Sequence, residues 1–414
     1  MLFYSLAIEL YSLCVELVSP FNKKALMMRL GQWKTNGILR KNIDRNAKYI
    51  WFHAASLGEF EQGRPMIEKI REAHPEYKVL LTFFSPSGYE VRKNYNGADV
   101  ICYLPFDTPY RVHKFLNLAN PAIAVFIKYE FWYNYLSELK RRKIPVYIIS
   151  AIFRPQQLFF RWYGFPYKQV LYTYTHLFVQ DEASRELLAG RGISNVTVCG
   201  DTRFDRVIDV QHQAKAIPQV ERFVTDPDGR RHLTLIAGSS WPQDEEILLS
   251  YFNEHTEMKL IIAPHEIHRE HLMYIESLLK RPSVRLSDVR TDESLLDGKD
   301  CIIVDSFGLL SSIYRYGTIA YIGGGFGAGI HNTLEAAVYG IPVVFGPKYH
   351  KFKEARDLIA VGGGFSISSE QAFRSKMDEL LTLPDKLSAA GDAAGRFVNG
   401  NAGSTDRILK KIPL

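Results

Sequence analysis

Apolar residues along the chain gather in short unbroken runs, separated by stretches with helical spacing. From residue 48 onward the runs Tyr49–Ala55, Val79–Ser85, Val100–Leu104, Ala122–Lys128, Val146–Ala151, Leu177–Gln180 and Val196–Gly200 read as strands. A second series comprises Leu233–Gly238, Leu260–Ala263, Cys301–Val304, Thr318–Gly323 and Pro342–Phe345. Most lack strict alternation, as parallel strands covered on both faces should. Two series of strands alternating with helices predict an α/β fold of two Rossmann-like domains facing a cleft. The polar stretch 210–231, with Pro218 and Asp226-Pro227-Asp228-Gly229, is the expected linker between domains 31–209 and 232–414.

The first nineteen residues follow another pattern. Ser5, Glu9, Ser12, Glu16 and Ser19 recur at helical spacing as one narrow polar stripe on an otherwise apolar helix, which Pro20 ends. Two carboxylates make a lone membrane span costly, and no signal-peptide flanks are present. An interfacial helix, or one packed on the domain, is expected for the first nineteen residues, which with the start of the basic flank make up segment 1–30. Charge reinforces this: Lys23, Lys24, Arg29, Lys34, Arg40, Lys41, Arg45 and Lys48 oppose Asp44 alone, in a chain whose net charge is only +6. Such a flank suits anionic headgroups, and because the charge is not spread along the domains, nucleic acid is disfavoured. The four cysteines are widely spaced and predict neither disulfide framework nor zinc site.

Two segments carry candidate chemistry. Residues 318–347 form a βαβ pattern in which a glycine cluster meets a helix start, with Asn332 or Thr333 as cap and Gly340 as the left-handed terminator. Amides at such a start attract phosphate, and His331 and Glu335, four apart, are expected on one face of the first turn. A dinucleotide fingerprint is incomplete here, and no P-loop occurs; a sugar nucleotide is the favoured ligand. In residues 51–70, Ser56-x-x-Glu59 reads as a capping box at a strand's carboxyl end. The carboxylate of Glu59 is equally placed to take a proton from a sugar hydroxyl. Glu130 follows another strand end. Asp226 and Asp228 read as turn chemistry, and His265, His268 and His271 do not share a helix face, so no metal is expected.

The ordered set HAASLGE (53–59), FFSPSGYE (83–90), YLPFD (103–107), YEFW (129–132), GDTRFD (200–205) and GGGFGAGIHNTLEAAVYGIPVVFGP (323–347) resembles the Kdo (3-deoxy-manno-octulosonic acid) transferases. The resemblance spans nearly the whole chain. It implies a GT-B fold, metal-independent inverting transfer from CMP-Kdo to the glucosamine disaccharide of a lipid A precursor, no cofactor, and work at the cytoplasmic face of the inner membrane. Glu59 matches the family's general base and Glu130 its second acidic motif. Gly325, His331, Asn332, Thr333 and Glu335 match the nucleotide motif, with Gly238, Ser239, Pro264, His265 and Arg203 as further donor-side candidates. Ser56, Gly58, Ser87, Arg154 and Arg161 are the acceptor-side candidates. Departures are Phe131 and Tyr133 in the second acidic motif, Arg203 for lysine, Glu266 for arginine, and Ser240-Trp241-Pro242 before Asp244. A UDP-sugar transferase, a sugar-nucleotide epimerase and a non-catalytic membrane-binding protein are the competing classes.

Overall fold

The computed structural model describes residues 2–414, and the chain divides into two units: Met1–Arg206 with Ala402–Leu414, and Val207–Asn401. The first is built on β1 (Lys48–Ala54), β2 (Tyr77–Phe83), β3 (Val100–Tyr103), β4 (Ile123–Ile127), β5 (Val146–Ala151), β6 (His176–Val179) and β7 (Val196–Val198). They form one parallel sheet in the order β3-β2-β1-β4-β5-β6-β7. Tyr49, Trp51, Leu80 and Phe126 join one buried cluster, whereas Ile50, Phe52, Leu81 and Val125 join another. Successive residues of one strand thus enter different apolar layers, which is why the runs do not alternate with polar residues.

The second unit contains β8 (Leu233–Ser240), β9 (Met258–Pro264), β10 (Ser283–Arg285), β11 (Cys301–Ile303), β12 (Ile319–Ile322), β13 (Val343–Phe345) and β14 (Gly364–Ser366). The order is β10-β11-β9-β8-β12-β13-β14, again parallel. Every strand expected from an apolar run is present to within two residues. The two additional strands, β10 and β14, are three-residue edges of sequence SVR and GFS, too short and too polar to register as apolar runs.

The domain limits differ from expectation. Residues 210–231 are not an open linker: they include the end of the helix Thr202–Gln213 and the helix Pro218–Val224, whose Val220, Phe223 and Val224 are buried. Residues 214–217 are a short loop, and Asp226–Gly229 is a turn closed by a Thr225–Arg231 bridge. Residues 402–414 return to the first unit. Asp205 accepts hydrogen bonds from the Thr405 amide and hydroxyl, both at 2.6 Å, and Ile408 and Ile412 enter the first unit's core.

The N-terminal segment also belongs to the first unit. It forms α1 (Leu2–Val18) and α2 (Lys23–Asn42), the latter capped by Asn22, whose Oδ1 accepts from the amides of Lys24 and Ala25. The expected stripe is present, and most of it faces the protein while Glu9 is exposed. Ser12 and Ser19 are buried, the Tyr4 hydroxyl donates to Asp107 at 2.7 Å, and Ser5 meets Asn134. Phe3, Leu6, Leu10, Leu13 and Leu17 point outward. Among the described residues no single helix is long and apolar enough to cross a membrane; α1 and α2 together pass by length and composition, but they are bent by 118°. The aromatic stretch 153–174 breaks into short turns, burying Phe153, Phe159 and Tyr174 and exposing Trp162 and Tyr163.

Candidate active site

In each sheet the strand order reverses once, beside the first strand of the series: at β1–β4 in the first unit and at β8–β12 in the second. Ligands of open parallel sheets bind outside the carboxyl ends of such a pair. Both groups of candidate residues emerge there.

After β1 the chain turns at Ser56 into α3 (Leu57–Ala73). Glu59 Oε2 accepts from the Ser56 amide at 2.9 Å and from its hydroxyl at 3.2 Å, so the capping contact is real and fixes the carboxylate. Burial and the neighbouring charge of Glu130 raise the Glu59 pKa, with Lys128 and Ser56 opposing the shift. Glu130 follows β4 and is only 5% exposed. Its Oε2 accepts from the Trp132 indole N–H and lies 3.0 Å from Nε2 of His53. Nδ1 of the same ring lies 2.9 Å from the Thr82 hydroxyl and 3.1 Å from the Thr82 carbonyl, so the imidazole is held at both nitrogens. Glu130 is thus a held carboxylate whose charge acts on Glu59. Lys128, between β4 and Glu130, holds a left-handed φ of 70°, a cost of roughly 1–2 kcal/mol for a non-glycine residue.

The other first-unit candidates divide. Burial raises the Tyr129 pKa, and Arg154, Arg203, Asp201 and Glu59 all act on this phenol, so these groups converge. Arg203 is already engaged: its Nε donates to Asp201 Oδ2 at 2.8 Å, while Gln62 donates to Asp201 Oδ1. It is thus a held cation in the first unit, and not part of the unit that carries the nucleotide motif. Ser87 is exposed and hydrogen-bonded to Ser85 at 2.7 Å. Gly58 is exposed, with open space where a Cβ would stand. Arg161 is exposed among the turns after β5.

In the second unit the glycine loop after β12 is shaped by close backbone approach. A Cβ at Gly323 would come within 2.2 Å of the Ser239 carbonyl, one at Gly325 within 2.5 Å of Gly346, and one at Gly238 within 1.9 Å of the Tyr314 hydroxyl. Ser239 itself has φ 53°. Asp244 is buried and ties the loop down, accepting from the Gly324 amide at 2.8 Å, the Trp241 amide at 3.0 Å and the Tyr321 hydroxyl at 2.7 Å. The amides of Gly327 and Gly329 bond to Gly324, and that of His331 to Gly323. The helix is a single turn, Leu334–Ala337, so its dipole is slight. His331 precedes it and does not share a helical face with Glu335. Asn332, not Thr333, supplies the capping oxygen to the Leu334 amide at 3.1 Å, and it donates to Glu335 at 3.0 Å.

His331 instead belongs to a ring stack. Trp241 lies on His265 with centroids 4.7 Å apart, and His265 on His331 at 4.5 Å. The Trp241 indole donates to His331 Nε2 at 3.2 Å, which places the imidazole proton on Nδ1. Burial, with His265 adding to it, lowers the His331 pKa to about 4, so the ring is neutral at pH 7. Trp241, Asp244, Gly324, Phe326, Gly329 and His331 line a cavity of about 480 Å³. Pro264 ends β9 and leads into His265. From sequence, Trp241 and Asp244 are marked only as departures from the family motif and Phe326 only as part of the glycine loop; a tryptophan directly after a strand end was the available signal for a site residue. His271, by contrast, is fixed to buried Glu245 at 2.8 Å, and Asp226 is held by Arg230 and His232. Among the described residues no three His, Cys, Asp or Glu side chains are grouped to hold a metal ion.

The fold places a carboxylate at the switch point of one parallel sheet and a glycine loop at that of the other, a frame that by itself does not fix the reaction; the comparisons with known proteins narrow it. Residues 25–206 match the family model of 3-deoxy-D-manno-octulosonic-acid transferase (kdotransferase). The transferase of that name from Aquifex aeolicus is 28% identical over 345 residues, 82% of this chain and 87% of its own. That of Haemophilus influenzae is 26% identical over 372 residues, 87% of this chain and 85% of its own. The similarity to Kdo transferases runs over most of the chain and indicates a glycosyltransferase. In fold, it is similar to the UDP-GlcNAc 2-epimerase of Neisseria meningitidis, with a TM-score of 0.62 at 15% identity, covering 87% of this chain and 98% of that one.

Proposed function

We propose that the enzyme transfers Kdo from CMP-Kdo to the glucosamine disaccharide of a lipid A precursor, with inversion and without a metal ion. The observation that carries this reading is the fixed Glu59 carboxylate at the carboxyl end of β1, its proton affinity raised by burial and Glu130. Glu59 takes the proton of the acceptor hydroxyl as its oxygen bonds to the anomeric carbon of Kdo. The bond from that carbon to the CMP phosphate oxygen breaks, and its electron pair leaves with CMP. A carboxylate with raised pKa is the stronger base for this step near neutral pH. The neutral His331, protonated on Nδ1, offers a hydrogen-bond donor to the donor substrate, and the Trp241–His265–His331 stack offers aromatic surface to its base. Glu335, beside Asn332, is assigned to ribose hydroxyls; Arg154 and Tyr129 are assigned to the anionic acceptor. We assign the enzyme to the cytoplasmic face of the inner membrane, held through the outward apolar face of α1.

The test is incubation with CMP-Kdo generated in situ and a tetra-acylated lipid A precursor, followed by mass spectrometry. A gain of one or more Kdo masses is the expected result. Absence of product, with CMP binding intact, would remove the proposed acceptor; protection by UDP in place of CMP would remove the donor.

A further inference from the structure

The helices α1, α2 and Pro109–Ala119 leave between them a cavity of about 220 Å³ outside the strand-end site, lined by Glu16, Arg29, Gln32, Trp33, Tyr110, Arg111 and Lys114 among others. Its polar groups are under-used. Gln32 is only 8% exposed; its Oε1 accepts from the Phe106 amide at 3.2 Å, and its Nε2 is buried without a hydrogen-bond partner. The Nε of Arg29 is likewise buried and unpartnered. Leaving such donors unsatisfied is unfavourable, and an acceptor in the cavity would remove that penalty. Three cations line the space against Glu16 alone. Arg111 donates to Ser12 at 2.9 Å and stands 4.0 Å from Glu16. Lys114 lies over the Tyr110 ring and Arg29 over Trp33. Those two rings are largely exposed, as aromatic side chains at a membrane interface are.

We propose that this cavity binds the phosphate of an anionic lipid headgroup, a reading that rests on α1 lying against lipid. Phosphate presents several acceptor oxygens to donors arriving from different directions, here the Arg29 guanidinium, the Gln32 amide and the Lys114 ammonium. It converts a diffuse electrostatic attraction into a specific contact at the foot of an apolar helix.

Flotation of the full chain with phosphatidylcholine vesicles, with and without phosphatidylglycerol, tests it. The wild type should prefer the anionic vesicles. Arg29→Met with Lys114→Met should cut that preference about tenfold more than the charge-matched Lys23→Gln with Lys24→Gln, a charge-assisted contact being lost in the first pair only. Gln32→Glu keeps the acceptor for Phe106, replaces the buried donor and should act like the first pair, which guards against a folding artefact. Equal losses in both double variants would assign the effect to diffuse charge and overturn the site. Equal wild-type binding to both vesicle types would overturn the site while leaving α1 as the membrane contact; no binding to either would overturn both. Saturable quenching of Trp33 by inorganic phosphate without vesicles, abolished by Arg29→Met, would make free phosphate the ligand and overturn the lipid assignment.

Discussion

Glu59 accepts two hydrogen bonds from Ser56 and stands in the field of Glu130, influences of opposite sign on its proton affinity. Burial and Glu130 prevail, so the carboxyl ionises at higher pH than a free glutamate. Glu59→Gln should lower kcat at least about a hundredfold and leave the melting temperature nearly unchanged; retained activity would remove Glu59 as the base. The acid limb of kcat/KM against pH should lie above the usual glutamate range. Glu130→Gln removes the like charge, so the Glu59 pKa should fall and the limb should move to lower pH; a limb that stays in place would break the coupling. Local pairings such as Ser56 with Glu59 are legible in sequence because three residues of helix fix them. His53 with Glu130, 77 positions apart, meets only because β1 and β4 are neighbours. The Trp241–His265–His331 stack depends in the same way on three separate loops.

At the scale of the element, α1 shows what periodicity carries and what it omits. The polar stripe is legible from spacing alone, but spacing does not say which way a stripe faces; contacts with Asp107, Asn134 and Arg111 turn it inward. Each outward leucine transferred to lipid contributes about 1.5–3 kcal/mol. Leu10→Glu with Leu13→Glu should therefore release the protein from vesicles without shifting the melting temperature, since both side chains are largely exposed; persistent vesicle binding would contradict the outward face as the contact. The inward face has its own pH signature. Burial raises the Asp107 pKa to about 6 although Tyr4 and two amides donate to it. A folded pKa above the unfolded value of about 3.9 means the native state holds the extra proton. Stability from this group is complete below the unfolded pKa and is lost as pH rises through about 6, on the order of 2–3 kcal/mol in all. Thermal scans between pH 4 and 7 should show that decline in the wild type and a flatter profile in Asp107→Asn; identical slopes would refute it.

For the whole molecule, twelve of the fourteen strands among the described residues follow from the apolar runs, but the division of the chain does not. No composition shift marks residue 402, and the return to the first unit is set by long-range contacts: Asp205 with Gly403 and Thr405, and Ile408 in the core. Ile408→Ala should cost about 2–5 kcal/mol, with faster hydrogen exchange in β1, β2 and α3 and little change in β8 to β14; exchange confined to residues 207–401 would contradict the assignment. The returning segment also orders events during synthesis. The second unit is continuous, so its sheet can close as soon as it leaves the ribosome. The first unit, though translated earlier, lacks a strip of its core until residues 402–414 emerge, roughly ten seconds or more after residue 206 at ordinary elongation rates. Throughout that interval the nascent chain presents an open apolar seam as well as an outward-facing apolar helix, and chaperone or membrane engagement would meet the half-built first unit before the finished one.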